Sequence, residues 1–245
     1  MFDFLKKSTW SFVSVIVRSL SILLINKIFA IQFGTSGITL LAHFQNLIGI
    51  ITQVPNDGVN RGIIKYWSGK ELTKEDKHRL FMAGLIFNLI LFFASAVIIL
   101  FFQEYFFRDF DITLSNPFFL LLFFSGLLLF LIHLYLLSVI LSFQRIKAYS
   151  IINMITAMIL LGVIFIFSET SPLLHTLLAY VFSQALGLIF SLVYVFRKKY
   201  LKIRKASLPP DGFARLGDFV LMAFSVVIFG KLTDFIVRDY AIQHF

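Results

Sequence analysis

Long apolar segments constrain the fold of this chain more than any other feature. A helix needs about 20 predominantly apolar residues to cross the hydrocarbon core of a bilayer. Seven segments are long enough, and they cover approximately residues 10–32, 38–66, 80–103, 116–142, 148–168, 172–196 and 216–240. With 59% hydrophobic and 14% charged residues among 245, the composition is that of an integral membrane protein. The sequence therefore predicts an all-α, polytopic transmembrane helical bundle.

Basic residues collect in alternate loops between these segments. They precede the first segment and follow the second, fourth and sixth, whereas the other loops are neutral or acidic. Because basic loops stay on the cytoplasmic side, we expect a multi-pass protein with a cytoplasmic N-terminus. Contact with anionic membrane lipids accounts for the net charge of +9, so we expect no nucleic-acid partner.

The stretch 197–215 is a break in composition, since it combines basic residues with Pro209, Pro210 and Gly212. Six predicted helices precede it and one follows. Many transporters are built from paired repeats of helices. We therefore expect a six-helix transmembrane lobe at 1–196, a basic cytoplasmic linker at 197–215 and the first helix of a second lobe at 216–245. The sequence would then be a partial chain of a two-lobe transporter.

A polar stripe runs along the second predicted helix. Residues that recur at steps of three and four share one helix face. Here that face carries Thr39, His43, Asn46, Ile50, Gln53, Asp57 and Asn60. Such a stripe between apolar flanks is typical of a helix that lines an aqueous cavity inside a membrane bundle. The alternative is that each polar side chain only hydrogen-bonds to a neighbouring helix.

The same helix contains residues that permit bending or close packing. Pro55, Gly58 and Gly62 lie in its second half, where a membrane helix can bend if neighbours satisfy the freed carbonyl groups. Gly58-x-x-x-Gly62 also matches a helix-packing pattern, although chance produces this pattern often.

Charged residues within the predicted helices are candidates for a cavity lining. Arg18 lies about 13 Å into the first helix, so it should face water or a partner. The two interpretations of Arg18 are structural pairing, with Asp57 or with another helix, and anion binding. In the seventh helix Lys231, Asp234 and Arg238 lie at i, i+3 and i+7, on one helix face. The two interpretations are an ion-pair ladder and a cationic cavity lining that includes one carboxylate. The carboxylates Asp57 and Asp234 are candidates for coupling transport to protons or sodium.

Two more helices carry polar positions. Tyr180, Gln184, Gly187, Ser191 and Tyr194 form a second polar stripe in the sixth predicted helix. His133 and His43 are lone histidines, for which hydrogen-bonded packing is weighed against a role as a ligand or proton relay. Apart from His133 the fourth predicted helix is almost wholly apolar, so we expect it to face lipid.

Signatures of catalysis are absent from the sequence. It contains no phosphate-binding Gly-Lys loop, no dinucleotide-binding glycine pattern and no His-Glu-x-x-His. With no cysteine, it has neither disulfides nor thiolate metal sites. We expect no enzyme activity, no metal site and no cofactor.

Several short motifs resemble one family of transporters. They are FGTSGI at 33–38, FQNL at 44–47, GVNRGIIKY at 58–66, LMA at 221–223 and VRDY at 237–240. Together they are similar to the lipid-linked O-antigen and enterobacterial common antigen flippases of the multidrug/oligosaccharidyl-lipid/polysaccharide exporter superfamily. The likeness is specific in the first 66 residues and in the seventh helix.

This resemblance implies a function at the bacterial inner membrane. Members of the family turn an undecaprenyl-diphosphate-linked oligosaccharide across the membrane by alternating access, with the headgroup held in a cationic cavity. It implies membrane lipids, a polysaccharide polymerase and a chain-length regulator as partners. The alternatives are a cation-coupled multidrug exporter of the same superfamily and a non-transporting component of an envelope-polymer assembly complex. The sign of the cavity charge should separate the flippase from the drug exporter.

The residues and the resemblance together give a set of candidate site residues. The predicted ion-coupling residues are Asp57 and Asp234. The predicted substrate-binding residues are Arg18, His43, Asn46, Gln53, Asn60, Arg61, Lys231 and Arg238.

Overall fold

A computed structural model describes residues 2–68, 73–107, 110, 117–198, 216–226 and 229–230. Within these residues the chain is helical and contains no strand, which confirms the predicted all-α class. A π-helix at Pro55–Asn60 separates the first two α-helices. The α-helices are α1 (Phe2–Val54), α2 (Arg61–Ser68), α3 (Lys74–Phe101), α4 (Gln103–Phe106), α5 (Pro117–Ser142), α6 (Ile146–Thr170), α7 (Leu173–Ala185), α8 (Gly187–Arg197) and α9 (Leu216–Val226).

Gly34 divides α1 into two arms, 2–33 and 35–54. Its backbone is not helical, with φ 68° and ψ −160°, a region that glycine enters far more readily than other residues. The apolar stretch Ser8–Ser68 has 61 residues. A straight helix of that length would measure about 90 Å, three times the thickness of the hydrocarbon core. Arg18 and Gly49, at nearly equal distances along the chain from Gly34, line the same cavity, so the two arms fold back on each other.

The other membrane-crossing helices follow the predicted segments closely. By length and composition, five described helices can cross a membrane, and the first of these contains the two arms of α1. The span Leu173–Arg197 contains both α7 and α8. At the beginning of α6, the Lys147 ammonium lies 4.9 Å from the centre of the Trp10 ring, so this end of α6 and the N-terminal end of α1 lie on one side. Of the predicted linker at 197–215, residues 199–215 lie outside the described residues.

The expectation that the fourth predicted helix faces lipid is wrong. This helix, α5, is largely buried, and Phe123, Leu127, Tyr135 and Val139 are fully enclosed. It packs against α2, α3, α7 and α8. The error has a physical reason: lipid tails and the interior of a membrane bundle are both apolar, so hydropathy alone does not distinguish a central helix from a peripheral one.

Buried polar groups join α5 to its neighbours. His133 Nδ1 and Ser191 Oγ are hydrogen-bonded at 2.8 Å, which confirms His133 as a hydrogen-bonded packing residue. Tyr135 Oη donates to the Phe81 carbonyl oxygen at 2.6 Å. Because these groups are shielded from water, each contact fixes the register of one helix pair.

The Gly58-x-x-x-Gly62 pattern is a helix-packing site. A Cβ atom at Gly58 would lie 2.9 Å from the Val220 Cα atom, and one at Gly62 would lie 2.8 Å from Leu216 Cδ2. The missing side chains therefore let α9 approach the backbone of the π-helix and α2. Beside this contact, the Lys65 ammonium lies 5.1 Å from the centre of the Phe219 ring.

We expect Gly58→Ala to destabilise the docking of α9 more than Gly62→Ala does. At Gly58 the added methyl group meets backbone, whereas at Gly62 it meets the end of a leucine side chain that can rotate away. Overpacking of this kind costs about 1–3 kcal/mol. Thermal unfolding of the purified chain measures the difference. Gly49→Ala is the matched control, since no atom lies within 4 Å of its added methyl group, and equal midpoints for all three variants would contradict the expectation.

Candidate functional site

A polar cavity of about 480 Å³ lies within the helical bundle. Its walls come from both arms of α1, the π-helix, α2, α5, α6 and α7. The apolar part of the lining comes mainly from α5. The polar part consists of Arg18, Gln45, Thr52, Gln53, Asn56, Asp57, Asn60, Arg61, Ser138, Tyr149, Asn153, Tyr180 and Gln184.

The cavity brings together five of the predicted site residues. Arg18, Gln53, Asp57, Asn60 and Arg61 all line it. Four of them come from the second arm of α1 and its continuation, and Arg18 faces them from the first arm. Their roles in binding substrate or a coupling ion stay predictions.

Two further predicted site residues that the structure describes do not line the cavity. His43 and Asn46 are partly buried on α1 outside the cavity. The reason is a rotation about the helix axis: in this arm the cavity face runs through Gln45, Gly49 and Thr52, to one side of the predicted stripe. Lys231, Asp234 and Arg238 lie outside the described residues.

The π-helix sets which side chains reach the cavity beyond Val54. Pro55 begins it, and proline has no N–H group to continue the α-helical hydrogen bonds. A π-helical turn contains an extra residue, so the face that follows it is shifted along the sequence. Asn56, Asp57 and Asn60 line the cavity here, and Arg61 follows directly. Sequence reasoning identified Asp57, Asn60 and Arg61 but missed Asn56 and Gln45.

One carboxylate and two guanidinium groups determine the charge of the described lining. Arg61 Nη2 lies 2.8 Å from Asp57 Oδ1, in a pair one helical turn apart that is partly open to solvent. Arg18 forms no ion pair with a carboxylate in the part of the chain that the structure describes. Asp57 therefore pairs with Arg61 rather than with Arg18. The described part of the lining therefore carries a net positive charge, and Arg18 is its cation without a carboxylate partner among the described residues.

A chain of amide groups fixes the π-helix against α3. Asn88 Nδ2 donates to Asn60 Oδ1 at 3.2 Å and to the Gly84 carbonyl oxygen at 3.0 Å. Asn60 Nδ2 in turn donates to Asn56 Oδ1 at 3.4 Å. Asn60 and Asn88 are each only 2% exposed. Hydrogen bonds between these buried amides hold the cavity wall in a fixed register against α3.

The opposite wall carries part of the second predicted polar stripe. Tyr180 and Gln184 line the cavity, and Gln45 Nε2 donates to Tyr180 Oη at 3.3 Å. Tyr180 and Gln184, together with Arg18 and Asn153, also line an adjoining hollow of about 90 Å³ that extends to His133. The cavity therefore continues from the solvated region at Asp57 to a narrower polar recess beside Arg18.

The donor groups of the lining are suited to binding a polar headgroup. Guanidinium, amide and hydroxyl groups converge on one space, where they can donate hydrogen bonds to phosphate or sugar oxygens. Among the residues that the structure covers, no group of three or more His, Cys, Asp or Glu side chains could hold a metal ion. Asp57 is the one carboxylate among the described residues of the lining.

Comparisons with known proteins identify the fold. No protein-family model matches the chain, and no curated protein matches it. Among solved structures, it is similar to the Vibrio cholerae MATE transporter VcmN in the bent form, with a TM-score of 0.69 and 13% sequence identity. The alignment covers 98% of this chain and 58% of that transporter. The chain thus shares the helical fold of a MATE transporter.

Proposed function

We propose that this chain belongs to a transporter that moves an undecaprenyl-diphosphate-linked oligosaccharide across the bacterial inner membrane. The observation that supports this most directly is Arg18, a cation without a carboxylate partner among the described residues, in a polar cavity between apolar helices. The fold shared with a MATE transporter supports the transport component of the proposal. The lipid-linked substrate rests on the sequence motifs and on the charge of the lining.

The chemistry of such a substrate matches the cavity in two respects. A diphosphate sugar headgroup cannot cross hydrocarbon without polar partners, whereas its prenyl tail can remain in lipid. Arginine presents a planar set of donors that can bind two phosphate oxygens at once. The amide groups of Gln53, Asn56 and Gln184 are suited to the hydroxyl groups of sugars.

Alternating access would carry the headgroup from one membrane face to the other. In this mechanism Asp57 is the proposed coupling carboxylate, because it holds Arg61 in an ion pair at 2.8 Å. Uptake of a proton or sodium ion at Asp57 would release the Arg61 guanidinium for the phosphate. Lys231 and Arg238 are the proposed cations of the seventh helix, with Asp234 as a second coupling carboxylate. The proposed partners are membrane lipids, a polysaccharide polymerase and a chain-length regulator.

A cation-coupled multidrug exporter is the second candidate. The similarity to a MATE transporter favours it. The two candidates differ in the charge of their substrates, because a positive lining attracts anions and repels lipophilic cations. The net positive charge of the described lining favours the flippase.

A thermal-shift titration of the purified chain in lipid nanodiscs tests the proposal. We expect an undecaprenyl-diphosphate oligosaccharide to raise the unfolding temperature, since a ligand at 100 times its Kd stabilises the bound state by about 2.7 kcal/mol. Undecaprenol, which lacks phosphate, is the matched control and should have no effect. Stabilisation by tetraphenylphosphonium instead would support the multidrug exporter. If neither the undecaprenyl-diphosphate oligosaccharide nor tetraphenylphosphonium raised the unfolding temperature, the result would contradict both candidate functions.

A further inference from the structure

An apolar groove lies on the surface of the bundle between the first arm of α1 and α6. It has a volume of about 520 Å³, within the range of roughly 300–1,000 Å³ of small-molecule sites. Ile31, Met158 and Phe165 form exposed parts of its walls. Among the described residues of its lining, Lys27 carries the charge. The described residues that line this groove differ from those that line the polar cavity.

Gly162 lines part of the apolar groove. No atom lies within 4 Å of the position that a Cβ atom would take at this residue, so the space beside it is open. A side chain added at this point would therefore begin in the open space of the groove. Because the groove lies on a membrane-crossing helix pair, its apolar walls are available to a hydrocarbon chain.

Lys27 places a positive charge near one membrane interface. It lies about 10 Å along α1 from the turn at Gly34, and a lysine side chain at that depth extends its ammonium group towards the interface. Lys27 forms no ion pair with a carboxylate within the described ranges. The phosphate groups of membrane lipids lie at this level. An anionic lipid could therefore place a hydrocarbon chain against the apolar walls and its phosphate beside the Lys27 ammonium.

We propose that this groove binds one anionic phospholipid from the leaflet on the side of Gly34. One hydrocarbon chain occupies the groove beside Gly162, and the Lys27 ammonium binds the phosphate. Phospholipids greatly outnumber prenyl lipids in a membrane, so mass action favours them as the occupant. This site is independent of the proposed transport function, because none of its residues lines the polar cavity.

Native mass spectrometry of the 245-residue chain, released from nanodiscs of equimolar phosphatidylglycerol and phosphatidylcholine, tests this site. We expect retained lipid with a preference for phosphatidylglycerol. Lys27→Gln should reduce that preference about fivefold, the effect of one basic residue near a membrane surface. Gly162→Leu should reduce the retention of both lipids by about tenfold, because it displaces a few methylene groups from the groove.

Two matched variants control for general effects. Lys198→Gln removes an exposed basic residue at the end of α8, and Val97→Phe enlarges an exposed apolar residue on α3. Both should retain the two lipids as the unmodified chain does. An unchanged lipid preference in Lys27→Gln, or unchanged retention in Gly162→Leu, would overturn the proposal. Replacement of phosphatidylglycerol by an equimolar amount of polyprenyl phosphate would also overturn it and assign the groove to a prenyl chain.

Discussion

Arg18→Gln is expected to weaken the binding of a lipid-linked diphosphate headgroup by about ten- to a hundredfold. A hydrogen bond to a charged group contributes roughly 1.5–3 kcal/mol, and glutamine retains polar atoms but no charge. Arg18 is the lining cation without a carboxylate partner among the described residues, so its charge is available to a phosphate. Thermal-shift titration with an undecaprenyl-diphosphate oligosaccharide measures the change. Arg18→Lys should retain part of the affinity, since lysine keeps the charge but loses the planar donor geometry.

Arg197→Gln is the matched control for this experiment. Arg197 ends α8, is exposed and lies outside the cavity lining, so its loss should leave the affinity unchanged. In cells, the same variants can be compared for surface polymer, with membrane insertion measured in parallel. Normal insertion and undiminished polymer in Arg18→Gln would count against the proposed substrate.

Gly187→Ala is expected to destabilise the fold by about 1–3 kcal/mol, although alanine favours helix formation. An added Cβ atom would lie 2.6 Å from both His133 Nε2 and Thr156 Oγ1. His133 is hydrogen-bonded to Ser191 and 1% exposed, so it cannot move without disturbing the contacts of α5 with α8. Thermal unfolding of the purified chain measures the loss.

Gly162→Ala provides the comparison for Gly187→Ala. It makes the same chemical change in a neighbouring helix, α6, but at a position where no atom lies within 4 Å of the added methyl group. It should therefore be neutral, or stabilising by up to about 1 kcal/mol through helix propensity. Equal stability of the two variants would show that the junction of α5, α6 and α8 tolerates movement.

The membrane-crossing helices could be predicted from the sequence because their length and apolarity follow directly from the thickness of a bilayer. The reversal between the first two helices was also predictable, since Gly34 supplies the positive φ that the turn requires. The central position of α5 could not be predicted from the sequence. Tyr135 and Leu127 are apolar or weakly polar residues that hydropathy alone assigns equally well to lipid and to the bundle interior.

The candidate site was predictable in part, for a reason that lies in the backbone. A regular helical period placed Gln53, Asp57 and Asn60 on one face, and all three line the cavity. The same period included His43 and Asn46, which do not line the cavity, and omitted Gln45 and Asn56, which do. A period derived from the sequence assumes one uniform helix, whereas the π-helix at Pro55–Asn60 changes the number of residues per turn where Asn56 reaches the cavity.

The π-helix has one side in the cavity and the other against α9. Asn56 and Asp57 line the cavity, while Gly58 packs against Val220 at a spacing that leaves no room for a methyl group. A ligand that shifts this short segment would therefore also change the equilibrium constant for packing α9 against it. By reciprocity, unpacking α9 would change the affinity of the cavity for that ligand by the same factor.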